Sequence, residues 1–181
     1  QADLLLPKKI KDGDNQEEDR SGTISIFSGE LPRIILNDDE VSEAQIVSDW
    51  IEKQISEGIA PTEIGVFVRT EHQYKRALNA IKKSGNTGVV LNYKLDGDDS
   101  SINYGTMHLA KGLEFRSVAV IACDHDALPL HERMRLFTEE ADIEEVERTE
   151  RQLLYVACTR ARESLLVTGV GAGSKYLYDL A

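Results

Sequence analysis

No run of apolar residues approaches the roughly 20 that a membrane-spanning helix needs, and no basic start leads into a short apolar stretch. Neither a span nor a signal peptide is therefore expected. Cysteine is nearly absent: Cys123 and Cys158 are the only two, with no Cys-x-x-Cys pair and no His/Cys ligand spacing. That excludes a disulfide framework and a cysteine-built metal finger, and it points to a reducing cytoplasm as the expected setting. Proline is sparse, with 4 residues, and low-complexity tracts are missing, so the chain does not read as a linker or a disordered tail. Positive charge is in deficit: 21 Lys and Arg against 32 Asp and Glu leave a net charge of −11. Broad coating of a phosphate backbone needs a basic surface, and this composition excludes it. The acid is concentrated in Asp12–Asp19 and Glu139–Glu150, however, which leaves room for a narrow local contact track.

What is present is the pattern of a layered α/β domain. The 181 residues suffice for one good core. The first 22 residues, polar after Leu4-Leu5-Leu6-Pro7, read as a helix end and loop. Thr23–Phe27 and Arg33–Leu36 are short and β-rich, with a turn signal between them. Val41, Ala44, Val47, Ile51 and Ile55 recur at helical spacing, with Asp38 or Asp39 as cap and Gly58 as stop. A strand over Ile64–Val68 precedes a helix from Glu71 to about Lys83 and a strand over Thr87–Leu91. Asp96–Ser101 reads as a polar loop before a strand that leads to Met107. Ser117–Cys123 is continuously apolar, as a central strand covered on both faces should be; Ile143–Arg162 is helical in pattern, and Leu165–Thr168 is a last strand. Strands alternating with helices imply right-handed crossovers and a mainly parallel sheet in a three-layer α/β fold. In such sheets function gathers at the carboxyl ends of the strands, where this chain carries Arg69-Thr70, Thr106–Lys111 and Asp124–Asp126.

Two strings carry more. Thr106–Phe115 reads TMHLAKGLEF, and Gln152–Glu163, about 45 residues on, reads QLLYVACTRARE. The first resembles motif V and the second motif VI of UvrD/Rep-type superfamily 1 DNA helicases, in the family's order. Ile64–Lys75, IGVFVRTEHQYK, is similar to the family's strand-and-turn segment that sets Arg-Thr against single-stranded DNA.

The resemblance implies a RecA-like, P-loop-NTPase-type fold without the P-loop, forming the carboxy-terminal motor domain over residues 23–181. Residues 1–22 would then be a connector from a first motor domain. Because the chain opens at Gln1 and has no Gly-x4-Gly-Lys-Ser/Thr and no acidic Walker-B strand, it is expected to be a fragment inactive by itself. ATP and Mg2+ would be held mainly by the missing domain, and unwinding 3′ to 5′ is the family expectation. Where large relatives insert a helical domain, between Ile81 and Ile102, only about 20 residues stand here.

The same resemblance assigns residue roles. Arg160 matches an arginine that reaches the γ-phosphate across the domain cleft, where a cation stabilises the charge of phosphoryl transfer. Glu114 matches the residue that bonds the nucleotide sugar; Lys111 sits where an ammonium either reaches phosphate or holds the loop by an ion pair, and Gly112 allows a turn that a Cβ would obstruct. Thr106 and His108 match contacts to the DNA backbone, as do Arg69 and Thr70, whose alternative reading is a helix cap. Arg162 reads as a salt-bridge residue on another helix face. His125 between Asp124 and Asp126 imitates a metal site, but the family has a loop of this character without metal, and no metal is expected. The partners implied are single-stranded DNA and the first motor domain, in the cytoplasm or nucleoid. The competing reading is a non-catalytic, helicase-derived DNA-binding or scaffold module.

Overall fold

The computed structural model describes residues 9–11, 17–19, 31–91, 100–136 and 139–180; the expected strand Thr23–Phe27 and most of the polar loop Asp96–Ser101 lie outside these residues. Near the amino end, where a helix end and loop were expected, β1 (Lys9–Lys11) and β2 (Glu17–Asp19) pair antiparallel. Their register sets Lys9 opposite Asp19 and Lys11 opposite Glu17.

The remaining strands build one sheet. They are β3 (Arg33–Asn37), β4 (Ile64–Val68), β5 (Gly88–Val90), β6 (Ile102–Thr106), β7 (Phe115–Val120) and β8 (Ala161–Val170), ordered β3-β8-β7-β4-β6-β5 and parallel throughout. Every residue of β4 is buried, as its unbroken apolar run requires of a central strand. Ile64, Val66 and Val68 pack on one face with helix α1 (Glu40–Ser56) and helix α2 (Tyr74–Lys83). Phe67 turns to the other face and meets Phe115 edge to face at 5.7 Å. On that face lie the Met107–Ala110 3₁₀ turn, helix α4 (Glu140–Cys158) and the 3₁₀ turn Lys175–Asp179, with the one-turn helix α3 (His131–Met134) beside α4. None of the described helices is long and apolar enough to cross a membrane.

Three expectations are corrected by long-range contacts. Helix α1 is capped by Asp39, whose carboxylate accepts from the Ser42 N–H at 2.7 Å, but its buried face is Glu43, Val47, Trp50, Ile51 and Gln54, while Val41 is 71% exposed. Val47 and Ile51 are buried and Ala44 and Ile55 pack against them, as the spacing requires; Glu43 joins this face because it accepts from the Ala122 N–H at 3.0 Å and the Thr168 hydroxyl at 2.8 Å, and so ties α1 to the segment after β7 and to β8. The segment Glu71–Gln73 is a 3₁₀ turn rather than the start of α2. Helix α4 ends at Cys158, so Arg162 lies in strand β8 and not on a helix face.

β8 passes close to the segment after β7 at Gly169, where an added Cβ would stand 2.7 Å from the Cys123 carbonyl oxygen. Both partners are backbone, so neither can give way by rotating. Gly169→Ala is expected to cost about 1–3 kcal/mol, read as a lower urea midpoint with an unchanged slope.

Candidate functional site

The string Thr106–Phe115 begins where β6 ends. A chain that must next enter another parallel strand has to return to the opposite edge, and this one returns through the Met107–Ala110 turn packed beneath α4. Met107 and Ala110 are buried there, while His108, Lys111 and Glu114 face solvent. Gly112 makes the last bend with φ +80° and nothing within 4 Å of an added Cβ, so backbone conformation and not space demands glycine. Glu114 then leads into β7. A strand of this length spans roughly 17 Å, so the two ends of the string serve opposite edges of the sheet.

The amino-terminal edge collects the nucleotide candidates. Arg160 follows α4 and precedes β8; its Nε donates to the Val156 carbonyl at 3.1 Å, its Nη1 to the Leu113 carbonyl at 3.3 Å and its Nη2 to the Thr159 hydroxyl at 3.3 Å. The Phe115 N–H donates back to the Arg160 carbonyl at 3.0 Å. Arg160 is thus stitched to the loop that carries Lys111, Gly112 and Glu114. All the acceptors on its guanidinium are neutral.

The carboxyl edge collects the others. Val68 and Thr106 are register partners, which places Arg69 and Thr70 beside Thr106 and His108. Arg69 does not face solvent: it is 5% exposed and grips Glu150, with Nε to Oε2 and Nη2 to Oε1 both at 2.6 Å. Glu150 also accepts from Arg133 Nη1 at 2.8 Å and from the Leu130 N–H at 3.2 Å. Burial pushes the Glu150 carboxyl up, but the Arg69 hydrogen bonds and charge, with Leu130 and Arg133, prevail and hold it below its ordinary value. His108 is held below the ordinary imidazole value, first by desolvation and then by Arg69 and Arg133, against a smaller opposing pull from Glu150. Thr70 acts as a cap, its N–H donating to Gln73 Oε1 at 3.0 Å at the head of the 3₁₀ turn.

Glu150 is the residue that sequence reasoning missed. Read as one charge in an acidic run, it lies on the buried stripe of α4 with Val146, Leu154 and Ala157. An acid at i+4 from one apolar residue and i−4 from the next is the signal that would have marked it. The partners Arg76 with Glu43 and Asp124 were missed in the same way.

Between the Met107–Lys111 segment and α4 runs an open groove of about 570 Å³, lined among others by Met107, His108, Lys111, Arg148 and Gln152. Among the described residues no carboxylate lines it. In a chain of net charge −11 this is a local departure from the mean, and it leads from the His108 side to the Lys111 side.

Residues 90–170 match the family described as UvrD-like helicase C-terminal domain. Over 72 residues the chain is 35% identical to the "Probable DNA helicase II homolog" of Mycoplasma pneumoniae and 40% identical to the "ATP-dependent DNA helicase PcrA" of Bacillus subtilis. Each match covers 40% of this chain and 9% of the relative, so it spans less than a tenth of those proteins. Among solved structures, the C-terminal domain of a possible DNA helicase from Lactobacillus plantarum WCFS1 superposes with TM-score 0.63 over 84% of this chain and 82% of that one, at 22% identity. That likeness shows the α/β fold with its all-parallel sheet.

Proposed function

We propose that this chain, with its UvrD-like helicase C-terminal domain sequence, is the carboxy-terminal motor half of an ATP-dependent DNA helicase. On this reading it completes an ATP site at a cleft with a first RecA-like domain and grips single-stranded DNA. The observation that carries the reading is the stitch between Arg160 and the Leu113 carbonyl, which holds the arginine and the Lys111–Glu114 loop as one unit. A guanidinium resting only on neutral acceptors keeps its charge uncompensated, and phosphate oxygens, which it can meet with two parallel bonds, are its stronger partners.

ATP is the substrate in this reading, and Arg160 would face its γ-phosphate with Lys111 alongside and Glu114 on the sugar. Magnesium would be held by the first domain, since the residues gathered here are chiefly cations and backbone. Thr106 and His108 would meet the DNA backbone, with the His108 imidazole neutral at pH 7, as its lowered pKa supports. Arg69 acts as a positioning residue through Glu150, and Thr70 is the more accessible member of that pair. The Met107–Ala110 turn joins the two edges, so movement of the nucleotide loop on cleft closure would be passed to the DNA grip. Unwinding from 3′ to 5′ and a cytoplasmic setting belong to the same proposal.

The test is ATP hydrolysis by the intact protein with and without single-stranded DNA. Strong stimulation by DNA is expected. Hydrolysis absent under both conditions would overturn the motor reading and leave the non-catalytic DNA-binding module.

A further inference from the structure

The loop after β7 holds a constellation that the nucleotide and DNA reading does not use. His125, Asp126 and His131 each offer one ligand atom, and these atoms lie within 4.8 Å of one another. The two imidazoles meet edge to face with ring centroids 5.3 Å apart, and His131 Nδ1 lies 3.5 Å from Asp126 Oδ1. We propose that these three side chains form a solvent-facing site for a divalent transition metal, zinc foremost.

The donor set argues for that class. Two imidazole nitrogens and a carboxylate oxygen suit Zn2+, which binds them at about 2.0–2.2 Å. Tetrahedral ligands at such lengths stand about 3.3–3.6 Å apart, so no pair here need close by more than about 1.5 Å through side-chain rotation. Nothing obstructs that movement, because Asp126 is 89% and His131 37% exposed. Magnesium and calcium prefer shells of oxygen, and one carboxylate does not supply them.

The backbone under the site is fixed at both ends. Asp124 accepts from the Val170 N–H at 2.8 Å and is ion-paired with Arg76, while the Leu130 N–H is held by Glu150. A turn pinned on either side presents its donors with little ordering left to do. Asp124, which the sequence grouped with His125, is therefore turned inward, and His131 takes its place. Three protein ligands leave the fourth zinc position for water or for a donor from a partner.

The test uses the full chain, stripped with a chelator and titrated with Zn2+ against a chromophoric competitor, and with Co2+ for its visible spectrum. One Zn2+ per chain is expected, with no displacement by excess Mg2+. His131→Ala and His125→Ala should each weaken binding at least about tenfold, the loss that even an outer partner of a metal site causes. Exposed substitutions of this kind preserve the fold, which far-UV circular dichroism checks. No binding by the wild type, or equal binding by all three proteins, would overturn the proposal; the latter would place the metal on other histidines.

Discussion

Arg160→Ala in the intact protein is expected to slow DNA-stimulated ATP hydrolysis by about 10³–10⁵-fold, the effect of removing an arginine that meets γ-phosphate charge across a cleft. The same change should leave the protein folded, at a limited cost in stability. Arg160 loses side-chain bonds to two carbonyls and a hydroxyl, of which the bond to Val156 serves the end of α4. Each such bond is worth about 0.5–1.5 kcal/mol net, so the unfolding midpoint falls modestly while the rate collapses. Arg160→Lys sharpens the comparison: it keeps the charge but loses the planar fork that spans two oxygens, and hydrolysis should stay at least tenfold down. Steady-state hydrolysis and urea unfolding of the three proteins separate the alternatives. Hydrolysis within tenfold of wild type for Arg160→Ala would reduce the residue to a cap on α4.

What the sequence disclosed depended on how far each residue reached for its partner. β4 was legible residue for residue, because Ile64–Val68 is an apolar run bounded by polar neighbours and is buried on both faces. β8 was not: its first residues, Ala161, Arg162 and Glu163, prolong the charge pattern of α4, and Glu163 is occupied by Arg116 on the neighbouring strand, 2.7 Å away. α1 was placed correctly in the chain and, apart from Val41, on the right face; what the apolar pattern did not show is that Glu43 joins that face, because it is polar and finds its donors on Ala122, Thr168 and Arg76. Of the candidate site, the TMHLAKGLEF and QLLYVACTRARE strings were readable as strings, and the stitch from Arg160 to Leu113 joins them. The division of the first string between two sheet edges was not readable, since it follows from the return path beneath α4. Nor was the burial of Arg69, whose partner Glu150 is remote in sequence.

Glu150→Ala is expected to be the most destabilising single change in the described residues, costing about 3–5 kcal/mol, as removal of one partner from a buried ion pair does. The loss is large because Glu150 is fully buried and satisfies Arg69, Arg133 and the Leu130 N–H at once. Without it, Arg69 keeps a positive charge at 5% exposure with its carboxylate gone. Against a total stability of roughly 5–15 kcal/mol, the variant should unfold at a much lower urea midpoint or fail to accumulate folded. Glu150→Gln keeps the shape and one acceptor oxygen, so its loss should be smaller and measurable. The pH dependence gives an independent reading. The folded carboxyl titrates below its ordinary value, so its contribution is fully present above the unfolded pKa of about 4.3 and is lost as pH falls through the lower folded pKa. The stability gap between wild type and Glu150→Gln should therefore narrow on acidification below that value and stay constant above it. Glu163→Gln, which weakens the partly exposed two-bond pair with Arg116, should lower stability far less. An unaltered midpoint for Glu150→Ala would mean that Arg69 is reached by water or another carboxylate, and would free it to make the proposed DNA contact directly rather than through α4.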